Sequence, residues 1–505
     1  MTSFSPEQEI LFLLLKMFYS LFTDFIKISS ILASSFLNDR ISCLELIKFN
    51  TSRTFESAGM SILNRFSLFE TTLNFSERRD LLADKVLEDS AIIVSAASVK
   101  SRISDTEYSY RQDSNFYYLS GYEEPESLIL IRPNQDKERF IIFCRDRDPL
   151  REQWDGFRTG QEGVIQDYGA DAAYSINSID EIMPKLLEGA KNIYFSMSAP
   201  CGVDAKISSW VADIRKNTRS GAEPPQNLLS LDSILHEMRL IKESDEMDLM
   251  KQAANITTEA HIRAMQSVRP GMYEYQLEAE YLYAFNKNGA RSPAYNSIVG
   301  GGNNSCILHY VENNAELKDG DLVLVDAGCE YQYYASDVTR TFPVNGKFSP
   351  EQREIYSIVL EAHKQSMEQA KPGNKWNLMH EKSVEVIVEG LLSIGLLQGS
   401  RDEIIDKGEY SKFYMHRIGH WLGMDVHDVG SYKQDGDWRP LEEGMVMTVE
   451  PGIYILDSME GVDDKWKGIG VRIEDDIAIT DSCLLYTSDA ADEGLGVDLG
   501  GRRII

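Results

Sequence analysis

The 505-residue chain contains no CxxC pair, and its six cysteines (Cys43, Cys144, Cys201, Cys306, Cys329 and Cys483) are scattered. That spacing argues against a Cys-ligated zinc site and against a disulfide framework, which fits a reducing compartment. No HExxH occurs, so a zinc protease of that type is excluded. Positive charge is short: 51 Lys and Arg stand against 80 Asp and Glu, a formal net charge of −29. With no basic stripe to neutralise phosphates, nucleic acid is not expected as a partner. No run of about 20 uncharged residues exists either, so no membrane partner or spanning helix is expected. These absences leave a cytoplasmic enzyme as the expectation. Histidine is scarce at eight, and His309, His416, His420 and His427 all fall in the C-terminal half.

The length allows two or three domains with a large core. Residues 1–70 read as an N-terminal extension. "EILFLLLKMFYSLFTDFIKISSILASSFLN" is apolar but broken by Lys16, Asp24 and Lys27, and Glu7 and Glu9 precede any lysine, unlike a signal peptide. It is expected to be non-native or disordered, with Met60 as the natural start; an amphipathic membrane-surface helix is the competing reading. Residues 75–235 read as an α/β domain, from short β-type runs such as "AIIVSAAS", "SLILIRP" and "RFIIFCRD". The Gly- and Pro-bearing stretch Arg219–Leu235 is the expected linker. Residues 236–482 form a second domain of helices and strands. The last 23 residues, 483–505, resemble a peptide that recurs when library-adapter DNA is translated, and are expected to replace a native C-terminus; a native disordered tail is the alternative.

The chemistry starts at "LVLVDAGCEYQYYASDVTRTFPV", residues 322–344. Val323–Val325 read as a strand and Tyr334–Phe342 as its return. A turn centred between Tyr331 and Gln332 would set Asp326 opposite Asp337, with Cβ atoms about 5 Å apart. Two like charges at that distance repel unless a cation lies between them. Glu450 ends the strand "VMTV" ahead of a Pro-Gly turn, and Glu474 shares a strand face with Arg472. Each glutamate alone reads as a surface residue. Asp326, Asp337, Glu450 and Glu474 with a single histidine instead make an oxygen-rich set suited to Mn²⁺. Four negative charges call for two divalent ions, which at about 3.5 Å can hold a hydroxide between them. Hydrolysis of a polar carbonyl or phosphoryl bond follows.

"ILHYVENN", "LVDAGCEYQYYASDVTRTFPVNGKF", "HRIGHWLGMDVHDVG", "MVMTVEPGIY" and "GIGVRIEDDIAIT" resemble, in order, the motifs of Xaa-Pro aminopeptidase (aminopeptidase P), of the pita-bread metallopeptidases. The likeness extends into "DTEYSYRQDSNFYYLSGYEEPESLILI" and covers residues 75–480. It implies an α/β (α+β) chain in which an N-terminal α/β domain precedes a pita-bread catalytic domain. By the resemblance the metal ligands are Asp326, Asp337, His420, Glu450 and Glu474, with Asp337 and Glu474 bridging two ions. Glu450 would also be the general base, and His309 and His427 would hydrogen-bond the scissile carbonyl as it becomes an oxyanion. His416 would line the proline pocket, while Tyr454 and Arg472 orient the ligands. Trp154 would cap a neighbouring subunit's site, implying a homo-oligomer (dimer or tetramer). For His416 and Trp154 packing alone is the competing explanation. His416 and His420 would share a helical face, against which Gly419 and Gly423 count.

The expected activity is release of the N-terminal residue from peptides with proline second, through a metal-bridging hydroxide. Prolidase, which takes Xaa-Pro dipeptides with the same metal set, is the alternative, followed by a non-catalytic peptide-binding relative. The latter would be marked by loss of ligands, and all five residues are present.

Overall fold

The computed structural model describes residues 73–480, apart from 136 and 198–201, together with 484–486. The expected extension and most of the expected tail lie outside the described residues. Residues 484–486 form a strand paired with Asp475–Ile479. Among the described residues no helix is long and apolar enough to cross a membrane.

The N-terminal domain is a six-stranded mixed sheet built from β1 (Ser90–Ser95), β2 (Leu128–Ile131), β3 (Phe140–Cys144), β4 (Ala172–Ser175), β5 (Asn192–Phe195) and β6 (Asn227–Ser230), in the order 4-3-2-1-5-6. β1, β2, β3 and β5 are buried along nearly their whole length. Their continuous apolar runs follow from helices covering both faces. β6 lies within the stretch expected as a linker: "NLLS" pairs in parallel with β5 at the sheet edge. Gly and Pro there mark the turn leading into the strand.

The second domain repeats one idea twice. In its first half β7 (Ile298–Gly301), β8 (Leu322–Ala327) and β9 (Val338–Pro343) form an antiparallel sheet. The helices Ser244–Ser267 and Glu274–Lys287 cover it, and Val323, Val325 and Ala327 of β8 pack with Leu277, Tyr281 and Phe285. In the second half β10 (Val446–Val449) pairs with β13 (Asp475–Ile479), and β11 (Gly452–Ile455) with β12 (Ile469–Arg472). The helices Pro350–Met367 and Asn377–Ser393 cover β11 and β12 through Ile355, Val359, Ile387, Ile453 and Val471. Side chains alternate along a strand, so the residues between these apolar ones point away from the helices, toward the space between the halves.

Buried charge joins the two domains. Arg239, 2% exposed, donates to Asn115 (2.7 Å), Asp425 (2.8 Å) and Asp428 (2.6 Å), and Lys242 donates to Asp428 at 3.0 Å. Arg78 lies between Glu246 and the Tyr118 ring, and Tyr334 donates to Glu246 at 2.8 Å. Asp428 is the carboxylate that pairs with buried Lys242. Asp428→Asn should therefore cost about 3–5 kcal/mol in urea unfolding, because a buried ammonium loses its counter-charge. Asp425→Asn, at a 40%-exposed side chain, should cost less than about 1 kcal/mol. Equal costs would show that burial does not govern this joint.

Candidate active site

The site grows from the β8–β9 hairpin. Its two-residue turn is Gln332–Tyr333, with φ of 47° and 72°. The ladder is shifted by two residues from the expected register: Asp326 faces Thr339, and Ala327 faces Val338. Asp326 and Asp337 are thus diagonal neighbours rather than a facing pair, still on one face because side chains repeat every second residue. The return strand is also interrupted, at Ser336 and Asp337, where the Asp337 amide leaves the ladder and donates to Asp476 (3.1–3.2 Å). Gly328 opposes this break, and a Cβ there would lie 1.7 Å from the Ser336 carbonyl oxygen.

The segment from Phe413 to Gly430 carries three of the histidines and contains no helix. It runs along β10 instead: Leu422 donates to Val446, Thr448 to the His420 carbonyl, and Glu450 to Ile418. The approach is so close that a Cβ on Gly419 would meet the Thr448 oxygen at 2.0 Å. This is why glycine interrupts a segment with helical histidine spacing. It brings His420 alongside Glu450, which follows β10. Glu474 sits between β12 and β13, bridged to Thr339, and Arg472 and Glu474 both reach the same cavity as expected.

That cavity, of about 400 Å³, is lined by Asp326, Asp337, His420, Glu450 and Glu474, together with His309, His416, His427 and Arg472. Donor atoms of Asp337, His420 and Glu474 lie within 4.8 Å of one another. His420 Nε2 is 3.3 Å from Asp337 and 3.8 Å from Glu450. Its Nδ1 faces the Trp421 carbonyl at 3.0 Å. A carbonyl only accepts, so Nδ1 carries hydrogen and Nε2 is the atom left for a ligand. Tyr454 lies behind the lining: Arg472 donates to its hydroxyl at 3.0 Å, and that hydroxyl donates to His416 Nε2 at 2.8 Å. Trp154 is 86% exposed on the helix Pro149–Asp155 of the N-terminal domain and does not line this cavity. A larger cavity of about 740 Å³ beside β1 contains none of these acidic ligands, so size does not identify the site.

Two contributors were not foreseen. The Tyr295 hydroxyl lies 2.5 Å from one oxygen of Asp326 and 2.5 Å from one of Asp337. Thr339 donates to Glu474 at 2.6 Å and accepts from Arg472 Nε. Tyr295 precedes β7 in "PAYNSIVG" with no local signal beyond a tyrosine at a strand entry.

Charge in the site is unbalanced. Burial raises the Glu450 carboxyl to about 7, even against His420 and Arg472. Burial, with Asp326, raises Asp337, and burial with Asp337 and Glu450 holds Glu474 far above the carboxylate range. Burial opposes charge on His420, but Asp337 and Glu450 outweigh it and lift it to about 9. Carboxylates thus hold protons where a cation would serve better, and the oxygen-rich donor set fits divalent ions. The arrangement defines a metal-dependent hydrolase.

Residues 248–481 match the model of metallopeptidase family M24, and residues 75–194 that of the aminopeptidase P N-terminal domain. The chain is 45% identical to Xaa-Pro aminopeptidase of Escherichia coli over 81% of its own length and 92% of that protein. The solved structure of Pseudomonas aeruginosa aminopeptidase PepP matches with 49% identity and a TM-score of 0.82, over 84% of this chain and 97% of that one. Aminopeptidase P from E. coli with the inhibitor Pro-Leu matches at 42% identity and a TM-score of 0.81, over 85% and 98%. The chain belongs to metallopeptidase family M24, with the aminopeptidase P domain ahead of the catalytic one. The α/β-plus-pita-bread expectation holds.

The raised groups fix a pH dependence. Glu450 stabilises the metal-free chain fully below its ordinary 4.5, and this is lost as pH rises through about 7. His420 acts in the same direction, fully below 6.5 and lost through about 9. Bound metal replaces those protons. The Tm difference between metal-loaded and metal-free protein should therefore widen from about pH 5 to about pH 8. A constant or narrowing gap would contradict the charge balance described.

Proposed function

We infer that the chain is a metal-dependent aminopeptidase that releases the N-terminal residue from peptides with proline in the second position. The observation that carries this is the buried convergence of Asp326, Asp337, His420, Glu450 and Glu474 in one cavity, on a chain that aligns along nearly the whole of known Xaa-Pro aminopeptidases. We assign two divalent ions, Mn²⁺ by the oxygen-rich donors, which Asp326, Asp337, His420, Glu450 and Glu474 would hold. When bound, the ions lower the pKa of water and polarise a carbonyl.

The chain's own residues do the rest. Glu450, beside His420 in the cavity, is assigned to accept a proton from the attacking water. His309 and His427 lie exposed at the cavity mouth, His427 with its ring 4.3 Å from that of His420, where they can donate to a developing oxyanion. His416 stays neutral: burial and Arg472 push it down to about 3, and it joins the Tyr454–Arg472 chain that holds Asp326. It is assigned to the proline pocket. Exposed Trp154 is assigned to a neighbouring subunit's site in a dimer or tetramer, and the location is assigned as cytoplasmic. The N-terminal α/β domain is taken to span residues 75–235 and the catalytic domain residues 236–482.

Cleavage of Xaa-Pro peptides longer than two residues, with metal content measured alongside, tests the main reading. Activity confined to Xaa-Pro dipeptides would favour prolidase. Asp326→Asn should remove most bound metal and nearly all activity at unchanged far-UV circular dichroism, since an amide cannot balance the charge; full metal content with full activity would overturn the ligand assignment. His427→Ala should lower kcat by about 10²-fold while metal content stays unchanged. Loss of metal with His427 would make it a ligand instead.

A further inference from the structure

One buried carboxylate outside the metal cluster is used in full. Glu274, at the start of the helix Glu274–Lys287, is 0% exposed. Its Oε1 accepts from the Gly301 amide (2.8 Å) and the Asn304 side chain (3.1 Å). Its Oε2 accepts from the Tyr310 hydroxyl (2.8 Å) and the Ala315 amide (2.8 Å). The four donors come from both ends and the middle of one loop, residues 301–315, which enters from β7 and beyond Cys306 has no regular secondary structure. A loop of that length has no ladder to hold its backbone, so one carboxylate accepting at both ends does the work of a short strand pair.

The loop matters because of the residue beside Tyr310. Tyr310 is buried with its hydroxyl on Glu274, while His309, its chain neighbour, is exposed and lines the catalytic cavity. His309 lies in a turn that ends directly at Tyr310, so anchoring the Tyr310 hydroxyl on Glu274 fixes the end of the turn that carries His309 at the cavity. Asn313 adds a second tie, accepting from the Val299 amide (3.0 Å) and donating to the Ser297 carbonyl (2.8 Å).

We propose that Glu274 is a positioning residue for catalysis: through Tyr310 and the two loop ends it sets His309 at the scissile carbonyl. This rests on the reading of His309 as an oxyanion donor. Glu274→Gln keeps the side-chain shape, but its amide hydrogens now face donors that needed acceptors. Displacing a transition-state donor by a fraction of an ångström or more is felt in kcat rather than in binding.

The test is a double-mutant cycle on an Xaa-Pro tripeptide with the metal-loaded, full-length protein. Glu274→Gln should lower kcat about tenfold or more with KM changed less than about twofold and metal content unchanged. In a His309→Ala background the same substitution should lower kcat by less than about twofold, because the residue it acts through is gone. Tyr310→Phe, which removes one donor of four, should show a smaller loss with the same non-additivity, and decides the matter if Glu274→Gln does not fold. Full additivity, or no loss of kcat from either variant, overturns the proposal while leaving the metal reading intact. An unchanged kcat in His309→Ala alone overturns the role of His309, and this proposal with it.

Discussion

Everything in the catalytic domain answers to one electrostatic fact: four carboxylates meet around one imidazole in a single cavity. Of the charged cations lining it, Arg472 is committed to Asp326 and the Tyr454 hydroxyl. Without further positive charge the cluster holds protons, as the raised Glu450, Asp337 and Glu474 carboxyls indicate. Burial makes the imbalance costly, and the same burial makes a divalent cation effective once it is there.

Keeping four like charges together requires a frame that cannot relax away from them. Asp326 lies in the interior of a strand paired on both sides. Asp337 is pinned through its own amide to Asp476, and Glu474 through Thr339. The histidine segment is fitted against β10 so tightly that Gly419 has no room for a side chain. Each tie acts on backbone as well as on side chain, so the ligands stay put whether or not their charge is balanced.

The N-terminal domain takes part in that frame. Its Asn115 accepts from Arg239 and its Ser114 donates to Asp425, while Arg239 and Lys242 hold Asp428, the residue after His427 and three beyond Asp425. The domain joint therefore supports the loop that carries His420 and His427. Gly423 lies against Asp428 with no space for a Cβ, which couples the buried ion pairs to the path of the chain.

A gathering of Asp326, Asp337, Glu450 and Glu474 with one histidine was legible in the sequence, His420 was singled out by the family resemblance, and the fold brings all five to one cavity. Also legible were the strand runs at Leu322–Ala327 and Val446–Val449, whose apolar residues leave little choice of element. The hairpin register was not. Gln332 and Tyr333 adopt the positive-φ turn that Asn-Gly would announce, and without that signal the sequence places the turn centre one position early and the ladder two residues out. Nor could the chain reveal Tyr295, Thr339 or Glu274, whose partners lie far away in sequence. Local periodicity fixes which residues face the core; long-range hydrogen bonds, formed only when strands and loops from different parts of the chain are packed together, decide which buried polar groups meet and therefore where the charge comes to rest.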